Sequence, residues 1–184
     1  MNTIAVTVLG NDRPGIVCET ASVLSEMNCN IEDVSQTVLQ NEFSGIFIVS
    51  GPADITPEIL AQSLNQRLTS QGLVCYATMV QKDQSSPDAG STEPFVVISI
   101  GRDRVGLIAG ITAVMKEFEV NISNLQFINR TSTFPEQTVT IYEVDIPNKI
   151  RLSEFVSAIR DKGSGLGVEV SVQHKKIFED INRL

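Results

Sequence analysis

The chain contains one pattern twice. Gly10-Asn11-Asp12-Arg13-Pro14-Gly15-Ile16 recurs 91 positions later as Gly101-Arg102-Asp103-Arg104-Val105-Gly106-Leu107. The register then holds without a gap: Val23 falls on Val114, Glu26 on Glu117, Asn30-Ile31 on Asn121-Ile122, and Val17, Leu24, Met27 on Ile108, Met115, Phe118. Farther on, Pro52 meets Pro147 at an offset of 95, so the second copy is longer, and Arg130-Thr131-Ser132-Thr133-Phe134-Pro135-Glu136 is where the added loop falls. A chain of 184 residues built this way folds as two small copies of one module, and any fold proposed for one half must serve the other.

Within each copy the elements follow from periodicity. Ile4–Leu9 and Phe95–Ile100 are short, β-branched and apolar on both faces, as central strands are. After Gly15 and Gly106 the positions Val17, Thr20, Leu24, Met27 and Ile108, Ile111, Met115, Phe118 advance by the three-four spacing of a helix stripe. Val34–Gln40 with Phe43–Ser50, flanking Asn41-Glu42, and Leu125–Asn129 with Val139–Ile146 pattern as hairpins. Thr56-Pro57-Glu58 opens a second helix over Ile59, Leu60, Leu64 and Leu68, stopped by Gly72. Its counterpart runs from Leu152 through Phe155, Val156 and Ile159 to the breakers Gly163-Ser164-Gly165. Strands at Leu73–Val80 and Val168–Gln173 close each copy. The order βαββαβ, with right-handed crossovers, gives an α+β fold: two ferredoxin-like modules, each a four-stranded antiparallel sheet with both helices on one face.

Residues 82–94 are almost free of apolar side chains and rich in Ser, Gly and Pro, which marks a linker between a first domain at 1–81 and a second at 95–184. Ile177, Phe178, Ile181 and Leu184 at the end of the second have the spacing of a short amphipathic helix packing on the body. With 42% hydrophobic and 20% charged residues the composition is that of a globular protein. No apolar run reaches the ~20 residues of a membrane span and no basic secretory leader opens the chain, so a cytoplasmic location is expected and the glycosylation-type triplets Asn121-Ile122-Ser123 and Asn129-Arg130-Thr131 have no meaning.

The net charge of −8 opposes direct binding to nucleic acid. It is carried almost wholly by residues 1–91, which hold 3 basic and 10 acidic side chains. Cys18, Cys29 and Cys75 form no CxxC pair and have only His174 as a metal-binding companion beyond the carboxylates; buried, reduced thiols are expected, with no metal and no cofactor.

The repeated loop is the place where chemistry concentrates. It joins a strand end to a helix start, where unpaired backbone N–H groups and the helix dipole favour an anion such as a carboxylate. Gly15 and Gly106 allow close approach to the main chain, and Asp12 or Asp103 can accept from an ammonium group. Together these describe a receptor for a free amino acid. The plainer reading is that glycine serves only the turn and aspartate only caps the helix. Asn30 and Asn121, after the first helix of each copy, serve either as left-handed helix ends or as ligand contacts. Arg13 and Arg104 fit a solvated or paired surface position. Catalysis has little to work with: His174 stands alone, no phosphate loop with Lys-Ser/Thr exists, and no nucleophile has a visible base. Gly163-Ser164-Gly165-Leu166-Gly167 follows a helix and precedes a strand, the reverse of a dinucleotide turn, and reads as a flexible connector.

At Gly10-Asn11-Asp12-Arg13-Pro14-Gly15-Ile16-Val17 and Cys29-Asn30-Ile31-Glu32-Asp33, and around Glu42-Phe43 and Ser50-Gly51-Pro52, the sequence resembles the ACT domain family of amino-acid-binding regulatory modules. The duplication resembles the glycine cleavage system transcriptional repressor family. The second copy has Val105 where Pro14 stands. The loop is also similar to the regulatory domain of formyltetrahydrofolate deformylase, without the catalytic domain that would follow there. By similarity to the regulatory domain of phosphoglycerate dehydrogenase, the resemblance implies paired modules with effector sites made from the loop of one and the Asn region of the other. One site would join Asp12, Arg13, Pro14, Gly15 and Ile16 to Asn121 and Ile122; the other would join Asp103, Arg104, Gly106 and Leu107 to Asn30 and Ile31. Gly10 and Asp12 stand where that serine-binding pattern has His and Asn.

The function implied is a noncatalytic, amino-acid-sensing regulator. Its effector would be glycine or a similar small amino acid, and its partner a transcriptional regulator or metabolic enzyme, with no membrane and no direct nucleic-acid contact. The resemblance extends to regulation of glycine cleavage system transcription and to a homodimer. The alternative is a ligand-free interaction module of the same fold.

Overall fold

The computed structural model describes residues 2–80, 91–129 and 137–182, and the chain divides into two compact units, Met1–Asp83 and Gln84–Leu184. Most of the linker read at 82–94 and the whole added loop at 130–136 lie outside the described residues.

The first unit runs β1 (Asn2–Asn11), α1 (Ile16–Glu26), β2 (Asn30–Leu39), β3 (Glu42–Gly51), α2 (Pro57–Leu68), a 3-10 turn (Thr69–Gln71) and β4 (Leu73–Met79). Its strands lie in the order β2-β3-β1-β4, each pair antiparallel. Alternation puts Ile4, Val6 and Val8 of β1 and Phe43, Phe47 and Val49 of β3 on one face, where they share a core with Ile16, Val23 and Leu24 of α1 and Leu60, Leu64 and Leu68 of α2. Both helices therefore cover the same face of the sheet, as the sequence predicts.

The second unit repeats this with β5 (Thr92–Gly101), α3 (Leu107–Glu117), β6 (Asn121–Asn129), β7 (Thr138–Pro147), α4 (Leu152–Gly165) and β8 (Val168–His174), followed by α5 (Lys175–Asn182). The strand order is β6-β7-β5-β8. Even the β-bulge is shared, at Ile31/Asp33 in β2 and at Ile122/Asn124 in β6. Thr92, Glu93 and Pro94 pair with Pro147, Ile146 and Asp145. Among the described residues no helix is long and apolar enough to cross a membrane.

Five local expectations are corrected. The buried stripe of the first helices keeps Thr20, Leu24 and Met27, and Ile111, Met115 and Phe118, but starts one position earlier than expected: Ile16 and Leu107 face the core, joined by Val23 and Val114, while Val17 is 41% exposed and Ile108 38%. The helices end on left-handed Asn28 and Glu119, so Asn30 and Asn121 are not helix ends but open strands β2 and β6. The β2–β3 turn centres on Gln40 and Asn41, both with positive φ, which suits the twist of a two-residue hairpin. Gly163 and Gly165 do not break α4, which runs to Gly165; a Cβ on Gly163 would lie 2.4 Å from Val170 Cγ2, so this glycine lets helix and strand touch. Finally, Cys29 and Cys75 are buried thiols but Cys18 is exposed.

Candidate functional site

The repeated loops occupy the same place in both units. Each leaves its central strand at a glycine fixed by packing: a Cβ on Gly10 would lie 2.5 Å from the Gly72 carbonyl oxygen, and one on Gly101 would lie 2.6 Å from Val168 Cγ1. Each then enters its helix through a glycine fixed by conformation, Gly15 at φ 100° and Gly106 at φ 88°. Neither α1 nor α3 has a side chain capping its N-terminus, so Asp12 and Asp103 are not the helix caps that the plainer reading expects. The Asp12 backbone N–H instead donates to the Asn41 carbonyl at 2.7 Å, tying the loop to the β2–β3 turn.

The arginines differ between the copies. Arg13 folds back along α1 to pair with Glu19 at 3.2 Å and donates to the Pro14 carbonyl. The residue matching Glu19 in the second copy is Gly110, packed close to Leu166 Cδ1, and Arg104 donates to the Leu166 carbonyl at 3.2 Å. A helix N-terminus carries partial positive charge. Glu19 already answers part of it in α1, whereas the first turn of α3 has no acidic residue.

Both loops border an open cleft. In the first unit it measures about 470 Å3 and is lined by Asp12, Arg13, Gly15, Ile16, Val17, Cys18, Gln36 and Phe43. In the second it measures about 260 Å3 and is lined by Asp103, Arg104, Gly106, Leu107, Ile108, Ala109 and Phe127. Ile16 and Leu107 are buried, so they can meet a guest chiefly through their backbone, and Pro14 is exposed but does not line the cleft. Val17, Cys18, Gln36 and Phe43, with Ile108, Ala109 and Phe127, were not foreseen as lining. The repeat holds the signal, since Val17 falls on Ile108, Cys18 on Ala109 and Gln36 on Phe127.

Asn30 and Asn121 are elsewhere. In the first unit Asn30 pairs with Ser50, which pairs with Thr3, while the loop leaves the sheet beside the Asn11–Glu42 pair at the opposite end. Eight residues of strand separate the two, roughly 25 Å. Asn30 Nδ2 donates to Glu32 at 3.0 Å, and Asn121 Nδ2 to Asp145 at 3.3 Å. The Ser50 hydroxyl also donates to Glu32, and these two donors hold the Glu32 carboxyl below its ordinary range. Ile31 and Ile122 pack against the cores of their own units. The cleft of one unit thus gathers the loop residues and leaves that unit's own Asn-Ile pair outside.

Comparison with known proteins agrees with this architecture. The profile of the ACT domain family matches residues 2–79. A UPF0237 protein of Methanopyrus kandleri is 46% identical over 67 residues, covering 36% of this chain and 74% of its own length. One from Methanosarcina acetivorans is 34% identical over 90 residues, covering 49% of this chain and 95% of its own. Two solved structures share the two-unit fold over 94% of this chain. They are an unknown protein from Galdieria sulphuraria, with TM-score 0.77, 23% identity and 98% of that chain covered, and a candidate glycine cleavage system transcriptional repressor, with TM-score 0.69, 17% identity and 96% covered. With a matching profile over the first unit, similarity to UPF0237 proteins and the same topology repeated in the second unit, the chain belongs to the ACT domain family.

Proposed function

We propose that the protein is a noncatalytic sensor that binds a small amino acid at the β1–α1 and β5–α3 loops and passes the signal to a protein partner. The observation that carries this reading is the coincidence, in both units, of an uncapped helix N-terminus, a left-handed glycine and an exposed aspartate on the rim of one cleft. The helix end takes the carboxylate through backbone N–H groups, and Asp12 or Asp103 takes the ammonium. Glycine is the first effector to test and transcription of the glycine cleavage system the first circuit, both drawn from the resemblance of the tandem arrangement. Asn30 and Asn121 join a site only where the loop of another module reaches them, so their variants are read separately.

A ligand of about five heavy atoms gains at most about 1.5 kcal/mol per atom, or about 7.5 kcal/mol, which sets the affinity between micromolar and millimolar. The test is calorimetry of the full chain with the common amino acids, beside Asp12→Ala, Asp103→Ala and Gly15→Val. Binding of a small amino acid is expected, weakened by each aspartate change and lost from the first cleft in Gly15→Val. Absence of heat and of any thermal shift at millimolar ligand would refute the sensor; binding unchanged in all three variants would refute the assigned clefts.

A further inference from the structure

The two sheets differ on the face that the core helices leave open. In the second unit α5 packs against β5 and β8. Lys175, its first residue, pairs with Glu143 of the open face at 2.6 Å, and Val96 of that face is only 1% exposed. One of the two open faces thus has a helix of the same chain against it. The matching face of the first unit carries Leu9, Ile46, Val74 and Tyr76, all exposed, with Tyr76 at 66%. The pairing register places these four side by side: Leu9 opposes Val74, and Thr7 lies between Ile46 and Tyr76. In the second unit the residues matching Val74 and Tyr76 are Glu169 and Ser171. On the edge strand, then, the face without a helix of its own is the more apolar.

Its charges are all of one sign. Strands β1, β2, β3 and β4 contain no Lys or Arg. Asp33, beside Ile48, and Glu32, beside Ser50, lie at one end of the open face, and Glu42 lies at the other. An apolar centre between acidic ends calls for an apolar stripe flanked by cations. Three ten-residue strands and one of seven make a face roughly 20 Å wide and about 23 to 33 Å long. A ten-residue helix, about 15 Å long and 10 Å across, fits its centre.

We propose that the open face of the first sheet is a docking surface for a basic amphipathic helix of a partner protein, in the place that α5 takes on the second sheet. This supplies the partner half of the function proposed above and stands without the ligand half, because none of the four apolar residues lines a loop cleft.

The probe is a labelled peptide with the sequence of residues 174–184 carrying Glu179→Lys and Asp180→Lys, titrated into the full chain in the absence of amino acids and followed by anisotropy and by amide NMR shifts. Expected are saturable binding, shifts confined to β1, β3 and β4, and at least a tenfold loss of affinity in Ile46→Ser/Tyr76→Ser, whose exposed sites leave the fold intact. Glu32→Gln/Asp33→Asn should weaken binding severalfold and flatten its salt dependence. Three results would overturn the proposal: equal affinity in the Ile46→Ser/Tyr76→Ser variant, shifts centred on the second sheet, or a dimer by light scattering that this variant converts to monomer, since a second copy would then be the occupant. Failure here with amino-acid binding intact leaves the sensor standing, and the reverse outcome leaves the docking face standing.

Discussion

Single residues carry much of the difference between the two copies. Gly163 reads as a helix breaker because glycine costs about 1 kcal/mol in a helix interior. Yet its place in α4 is set by Val170, which would lie 2.4 Å from a Cβ there. Sequence shows the propensity of such a residue but not the partner from another element. Gly163→Ala should therefore destabilise the protein by about 1–3 kcal/mol despite the gain in propensity, measured by chemical denaturation; a more stable variant would mean that the strand yields easily. The cysteines give a second test. Burial raises the Cys29 thiol and pushes the Cys75 thiol up to about 11, whereas Cys18 is exposed in the first cleft. The thiolate is the reactive form. Brief alkylation of the native protein at neutral pH should modify Cys18 and spare Cys29 and Cys75, with all three modified in denaturant, as read by peptide mass spectrometry. If an effector occupies the first cleft, its addition should also slow the reaction at Cys18.

Elements were legible where one face decides them. The order βαββαβ and the end signals of α2, with Thr56 at the cap and Pro57 after it, stand in the sequence because alternation and capping are local. The phase of α1 was not, because Val17 and Ile16 are both apolar and only the sheet decides which is buried. Contacts between elements are equally hidden. Asn65 of α2 donates to the Cys75 carbonyl at 2.8 Å and accepts from the Cys75 N–H at 2.9 Å, holding edge strand β4 to the helix. Asn65→Ala should cost about 1–3 kcal/mol by leaving those backbone groups unpaired, and amide exchange should quicken at Cys75 first. At α5 the same logic carries a pH dependence. Hydrogen bonds from Asn124 and Lys175 hold the Glu143 carboxyl below its ordinary 4.5. Its contribution to docking α5 is thus complete above that value and lost as the pH falls through the lower, folded one. The side-chain ammonium signals of Lys175 should shift on acidification below about pH 4.5, and Glu143→Gln should remove that shift while leaving those caused by Glu179 and Asp180 of α5 itself.

At the scale of the whole molecule the duplication makes the chain intelligible, since one loop read twice separates what the fold needs from what each copy adds. Gly10 with Gly101 and Gly15 with Gly106 recur for packing and backbone reasons visible in both units. Glu19 against Gly110, and Tyr76 against Ser171, mark where the copies part. The clefts were legible as loops but not in their far walls, because Gln36 and Phe127 come from strands whose side toward the loop only the folded sheet decides. Charge then limits how the molecule can act on gene expression. Binding to DNA rests on cations that displace counterions from phosphate, and the affinity gained grows with their number. This chain is at −8, with 3 basic residues in its first 91 and none in the strands of its first sheet. The second half is richer, with 11 basic residues against 12 acidic, but Lys149, Arg151 and Lys175 are paired with Glu119, Glu154 and Glu143. The purified protein should therefore retard no duplex DNA in a gel-shift assay at about 0.15 M salt, with or without amino acid, and lowering the salt threefold should change nothing, because the chain as a whole repels phosphate. A shift that strengthens steeply as salt falls would show that the second unit gathers a basic surface. The signal would then reach the nucleic acid directly, with no helix needed on the acidic-rimmed face of the first sheet.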